Sequence, residues 1–150
     1  LPALFGAGDG PSEGLKVLIG AYQDPSSVNM RRLVEIMCYD KARFATDELC
    51  QARSDAALAR PEHLQNYVDG LPKGAPVPRW ADVSRLGEIA VPTMIIHGRD
   101  DRVVSYEVSL AMAGLIPDSR LVLLNRCGHW AQIEHADEFN RLVADFVENE

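Results

Sequence analysis

The chain has 150 residues, room for one hydrophobic core and too little for two independent ones. Hydrophobic residues make up 47% and charged residues 25%, which excludes a disordered or fibrous chain. The net charge of -7, with 15 Lys and Arg against 22 Asp and Glu, argues against a nucleic-acid partner, whose phosphates need a basic surface.

The first half reads as helices with no strand among them. Leu15, Leu18, Ile19 and Tyr22 fall at i, i+3, i+4 and i+7 behind a Ser12-Glu13 start, which predicts one helix. Ser26 and Ser27 are suited to cap a second, continued by Met30, Leu33, Val34, Met37 and Cys38. Thr46 is expected to cap a third, with Asp47 and Glu48 complementing the positive end of its dipole. Pro61 opens a fourth at a first-turn position, with Leu64, Tyr67 and Val68 on its buried side. The stretch 70–78 breaks every periodicity and is dense in Gly and Pro, so it reads as a linker or boundary.

Beyond it the pattern alternates. A short helix (Val83, Leu86, Ile89) leads to a strand over 93–96, an acidic loop, and a helix from about Ser105 carrying Val108, Ala111, Met112 and Leu115. A second strand follows over 121–124, then a loop and a final helix with Phe139, Leu142, Val143 and Phe146 inward. Continuous apolar strands between helices predict an α/β arrangement with a parallel sheet. Two strands cannot enclose a core, so residues 79–150 are expected to be the edge of a larger sheet whose other strands lie outside this chain. The start at Leu1, without an initiator Met, agrees with a processed or partial sequence.

Cys38, Cys50 and Cys127 are odd in number and irregularly spaced. That favours a reducing compartment, hence the cytoplasm, and no CxxC pair suggests zinc. No apolar run is long enough to span a membrane, so no membrane partner is expected.

Ligands of open parallel sheets meet the loops at the carboxyl ends of strands. Those loops are His97-Gly98-Arg99-Asp100-Asp101-Arg102 and Asn125-Arg126-Cys127-Gly128-His129-Trp130. An Asp and a His on neighbouring strand ends can pair as the orienting acid and the general base of a nucleophile triad. Read singly, a Gly and Asp cluster after a strand is a turn, and a loop histidine is a solvated one. Arg53 shares a helical face with Leu49, Ala56 and Ala57, where an arginine either snorkels to solvent or lines a pocket. Trp130 is either pocket wall or a core aromatic that locks the histidine loop.

The strings IIHGRDDRVV and NRCGHWAQIEHADEFNRLVADF resemble the C-terminal signature of the meta-cleavage-product hydrolases, α/β-hydrolases that cut a carbon-carbon bond in ring-opened aromatic catabolites. GPSEGLKVL, MCYDKARFATDELCQAR and RPEHLQNY are similar to that family's lid. The resemblance implies the C-terminal part of an α/β-hydrolase fold: a helical lid over 1–78, then the edge of the core sheet over 79–150. It implies Asp101 as the triad acid, with Asp100 as the competing turn residue, and His129 as the base. The family's arginine near the keto-acid of the substrate matches Arg53, whose fork of N–H donors suits a carboxylate or enolate oxygen. Trp130 joins it as a substrate-side residue. His97 is expected to close the strand beneath the loop, His135 to begin the last helix, and His63 to be solvated.

The one literal G-x-S-x-G, Gly10 to Gly14, follows a Gly-rich stretch that cannot be the buried strand a nucleophile turn requires. Ser12 is therefore expected to start a helix, and the nucleophile to lie on an N-terminal half that completes the enzyme as its partner. The implied reaction is ketonisation of a dienol followed by hydrolytic cleavage on a small aromatic-derived dienoate, with no metal or cofactor. Homo-oligomers are common in the family. The triad loops alone are equally compatible with an esterase or a non-catalytic binder.

Overall fold

The computed structural model describes residues 12–70 and 83–149. The expected linker falls outside these residues from position 71 onward, as do Gly10 and Pro11, the first two letters of the GPSEGLKVL string. Among the described residues of the first half there are five helices: α1 Glu13–Gln23, α2 Ser27–Met37, α3 Lys41–Phe44, α4 Asp47–Ala59 and α5 Pro61–Gly70. Ser12 caps α1 by accepting the Leu15 N–H at 3.1 Å. Thr46 caps α4 through the Leu49 N–H at 3.2 Å. Ser26 occupies the cap position of α2 without a capping bond; its hydroxyl donates to Asp24 instead. The short α3 breaks no apolar period and was not expected; Asp40 caps it by accepting the Arg43 N–H.

α2 is the centre of this half. Met30, Leu33, Val34, Ile36 and Met37 are buried, because α1 and α4 both pack against it. The edge-to-face pair Tyr22–Tyr67, with centroids 5.1 Å apart, ties α5 to α1. The face of α4 that turns inward is Cys50, Arg53, Ser54 and Ala57, a stripe at i, i+3, i+4 and i+7. Leu49 and Ala56, expected beside Arg53, are exposed. Ser54 explains the rotation: its hydroxyl donates to the Pro25 carbonyl at 2.6 Å, which removes the cost of burying it.

The second half opens with a 3₁₀ turn at Val83–Glu88 and continues as β1 Thr93–Gly98, α6 Tyr106–Leu115, β2 Ser119–Leu124, α7 Ala131–Glu134 and α8 Ala136–Asn149. Both strands are two residues longer than expected. They pair in parallel, from Thr93 opposite Ser119 to Gly98 opposite Leu124, with α6 as the crossover. Their side chains are mostly half-buried, and α8 buries no residue fully. Phe139, Leu142, Val143 and Phe146 of α8 are half-buried toward the sheet, while Leu115 of α6 is exposed.

The parallel register brings the two strand-end loops side by side. The Arg99 N–H donates to the Leu124 carbonyl and the Asp100 N–H to the Cys127 carbonyl, both at 2.9 Å. Gly98 makes this approach feasible, since a Cβ there would stand 1.9 Å from the Gly128 carbonyl oxygen. The helical half docks on the same loops. The Gly14 N–H donates to the Arg102 carbonyl at 3.2 Å, Arg102 pairs with Glu13 at 2.8 Å, and Val103 joins the core built around α2.

Candidate active site

Asp101 lies in the loop after β1 and His129 in the loop after β2. The side chain of Asp101 is 3% exposed and that of His129 is 34% exposed, so the acid is sealed while the base stays reachable. His129 Nδ1 stands 2.8 Å from Asp101 Oδ2. A carboxylate only accepts, so Nδ1 carries the proton and donates, which leaves Nε2 as the free acceptor of the ring. The other carboxylate oxygen, Oδ1, accepts the Val103 and Val104 N–H groups at 2.7 and 3.0 Å. One side chain thus does two tasks: it closes its own turn and orients the imidazole. Burial alone would push the Asp101 carboxyl up. The hydrogen bonds from His129, His97 and the Val104 amide outweigh it and hold the group well below the ordinary carboxylate range, so it stays charged.

Asp100, the competing acid, is exposed and enters the loop through its backbone N–H. The turn-capping part expected of it belongs to Asp101. His97 closes the end of β1 as expected, with Nδ1 2.6 Å from Ser109 Oγ and Nε2 3.1 Å from the Val104 carbonyl oxygen. The same Nε2 lies 3.2 Å from Asp101 Oδ2, a contact the strand pattern did not reveal. Burial opposes charging of His97, yet the hydrogen bonds to Asp101 and the Val104 carbonyl raise its pKa above the ordinary value. His135 stands just before α8, where its carbonyl accepts the Phe139 N–H at 2.8 Å and its Nε2 meets the Arg126 carbonyl at 3.1 Å. His63 is exposed on α5.

The Arg53 guanidinium stacks over the Trp130 ring, 4.7 Å from its centroid, a cation–π contact between α4 and the residue after His129. Arg53 Nε is buried with no hydrogen-bond partner among the described residues. Snorkelling does not describe this side chain, because its inner nitrogen is held away from water. Trp130 is half-buried against the core built around α2 and lies directly beneath the Arg53 guanidinium.

Cys38, Cys50 and Cys127 are free and buried. Burial, reinforced by the Glu134 charge, pushes the thiols of Cys38 and Cys127 up to about 12, so both remain protonated and unreactive at neutral pH. No helix of the described residues is long and apolar enough to cross a membrane.

A buried Asp holding a reachable His, on adjacent strand ends of a parallel sheet, is the geometry that the acid and base of a hydrolase-type triad require. The chain belongs to the alpha/beta hydrolase fold family, whose model matches residues 23–136. It is 49% identical over 140 residues to a 2-hydroxy-6-oxononadienedioate/2-hydroxy-6-oxononatrienedioate hydrolase of Cupriavidus pinatubonensis, covering 93% of this chain and 47% of that protein. It is 42% identical over 137 residues to a 2-hydroxy-6-oxo-6-phenylhexa-2,4-dienoate hydrolase of Comamonas testosteroni, covering 91% and 47%. The structure of a meta-cleavage product hydrolase from Pseudomonas fluorescens IP01 superposes with a TM-score of 0.81 at 37% identity, over 91% of this chain and 50% of that one. The resemblance drawn from the loop and lid strings is therefore borne out. The chain spans about half the length of the curated relatives it matches.

Proposed function

We propose that this chain carries the base, the acid and the substrate-side lid of a hydrolase that cleaves a carbon-carbon bond in a ring-opened aromatic catabolite of the 2-hydroxy-6-oxo-hexa-2,4-dienoate type. The observation that carries the reading is the orphaned Arg53 Nε stacked on the residue next to His129. A buried cationic donor without an acceptor, beside an imidazole whose Nδ1 is already held by Asp101, suits a substrate that brings its own oxyanion. An ordinary ester has no such charge to offer.

In this reading His129 Nε2 takes the proton from the dienol and delivers it to carbon during ketonisation. It then accepts a proton from the attacking hydroxyl as the carbonyl beside the scissile bond is hydrated, and protonates the departing carbon fragment. Asp101 keeps the imidazole in the Nδ1–H tautomer and stabilises the imidazolium between these transfers. Arg53 holds the carboxylate end of the dienoate and the charge that spreads along it. Residues 1–78 act as the lid and 79–150 as the edge of the catalytic core. The nucleophile and its oxyanion-hole amides are supplied by a segment of the complete enzyme outside this chain, because Ser12 is engaged as the α1 cap. The buried, unpaired cysteines support a cytoplasmic setting.

The test is loss of the visible absorbance of a ring-fission dienoate mixed with the complete enzyme. Rapid bleaching that disappears in His129→Ala is the expected result. Turnover of a simple aryl ester without bleaching would instead place the protein among the esterases, and neither reaction would leave a binder.

A further inference from the structure

Glu134 closes α7 and turns its carboxylate back over the loop that carries His129. It is 8% exposed, and both of its oxygens face backbone donors. Oε1 accepts the Gly128 N–H at 2.6 Å. Oε2 accepts the Tyr39 N–H at 2.7 Å and the Asp40 N–H at 3.2 Å. One set of donors belongs to the base loop and the other to the segment that leaves α2, more than ninety positions away in the chain. The end of α2 answers in the opposite sense: the Met37 carbonyl accepts the His129 N–H at 2.7 Å and the Trp130 N–H at 3.4 Å. Residues 37–40 and 128–130 are thereby stitched together in both directions. Gly128 is the point of closest approach, since a Cβ there would lie 2.5 Å from the Met37 carbonyl oxygen and 3.0 Å from Glu134 Oε1.

We propose that Glu134 is a positioning residue that clamps the His129 loop to the helical half, so that the base and the Arg53–Trp130 stack keep a single mutual geometry. Its hydrogen bonds run to main-chain donors, and it does not meet the reacting atoms. Its catalytic consequence rests on the function proposed above. The clamp demands a carboxylate for a definite reason: donors converge on both oxygens, so each end of the group must accept. A glutamine would turn its NH2 toward one of the two donor sets and lose it. An aspartate accepts at both ends but is shorter by one methylene, so it reaches both segments only with strain. Freed from Glu134, the chain beside His129 has room to shift, and a displacement of about 1 Å would carry the 2.8 Å bond to Asp101 beyond hydrogen-bond range.

The experiment compares the complete hydrolase with its Glu134→Gln and Glu134→Asp variants. It uses steady-state kinetics on a ring-fission dienoate and the downfield proton resonance of the His129 Nδ1–H bond to Asp101. Glu134→Gln is expected to lower kcat by roughly 10- to 100-fold, the scale of a misplaced catalytic group. KM should change far less, and the downfield proton should broaden or vanish. Glu134→Asp should recover part of both. Unchanged kcat with an intact resonance in Glu134→Gln overturns the proposal, as does a loss confined to KM. If Glu134→Gln does not fold, hydrogen exchange in the unaltered protein decides: one common slow rate for the Gly128, Tyr39 and Asp40 amides supports a single clamp, and unrelated rates refute it. If the unaltered protein does not cleave the dienoate, the functional reading fails while the resonance and exchange results still judge the clamp.

Discussion

In the helical half, α2 is covered by α1 on one side and α4 on the other, and Leu33 and Val34 have almost no surface left. In the sheet half, α8 buries nothing fully, and the small core around Leu124, Cys127 and Ala131 closes only where the strands end. The two halves share one chain but meet different packing conditions. Antiparallel helices can close apolar stripes on one another with few partners, whereas a parallel strand pair needs cover on two faces and neighbours along its edges. The candidate site sits where the better-packed half leans on the open one. Val103, two residues beyond Asp101, is part of the helical core, and the His129 N–H is held by the last carbonyl of α2. The acid–base pair is thus braced by the helices as well as by its own loops, although both residues stand on the sheet.

That contrast can be broken or sharpened by substitution in the complete hydrolase. The largest effect is expected at the pair itself. Asp101→Asn should reduce kcat by roughly 10⁴-fold, because the amide lets the imidazole adopt the wrong tautomer; circular dichroism should stay native, and a modest kinetic loss would argue that His129 is not the base. Next comes the helical core. Leu33→Ala should cost about 2–5 kcal/mol by chemical denaturation. Phe146→Ala in the half-covered α8 should cost clearly less within this chain, and equal losses would erase the distinction between the halves.

A smaller effect is expected from pH at His97. Its pKa is raised in the folded state, so its contribution to stability is complete below the unfolded value of about 6.5. The contribution is lost as pH rises through the folded value. His97→Gln should therefore lower the melting temperature more at mildly acidic than at alkaline pH, and a gap independent of pH would show that His97 acts by packing alone. Asp101 works in the opposite sense: its depressed carboxyl supplies stability above about pH 4 that fades as pH falls through the folded value. The smallest effect belongs to the outer face of α8. Val147, 74% exposed, should tolerate serine within about 0.5 kcal/mol.

Much of this was legible from residue order. The helices of the first half follow from apolar spacing and from Ser12 and Thr46 as caps, and the strands from short apolar runs ahead of Gly98 and the Gly128 loop. Asp101 and His129 stood out because two strand-end loops each carried a titratable group. Glu134 did not, since an acid in Ala131-Gln132-Ile133-Glu134 resembles any helix-terminal glutamate until donors from the α2 end arrive. The inward face of α4 was misread toward Leu49 and Ala56, because periodicity weighs apolar character and Ser54 hides its polarity by bonding to Pro25.

The sequence by itself determined the alternation of elements, the order of acid before base, and the family to which the chain belongs, because all of these rest on local spacing and motif. Only the tertiary structure decided that Asp101 serves two imidazoles and its own turn, that Arg53 lies on Trp130 with a nitrogen unmet, and that Glu134 joins α2 to the base loop. These are contacts between distant segments, and their physical origin is the need of buried polar groups to find partners wherever the fold brings them.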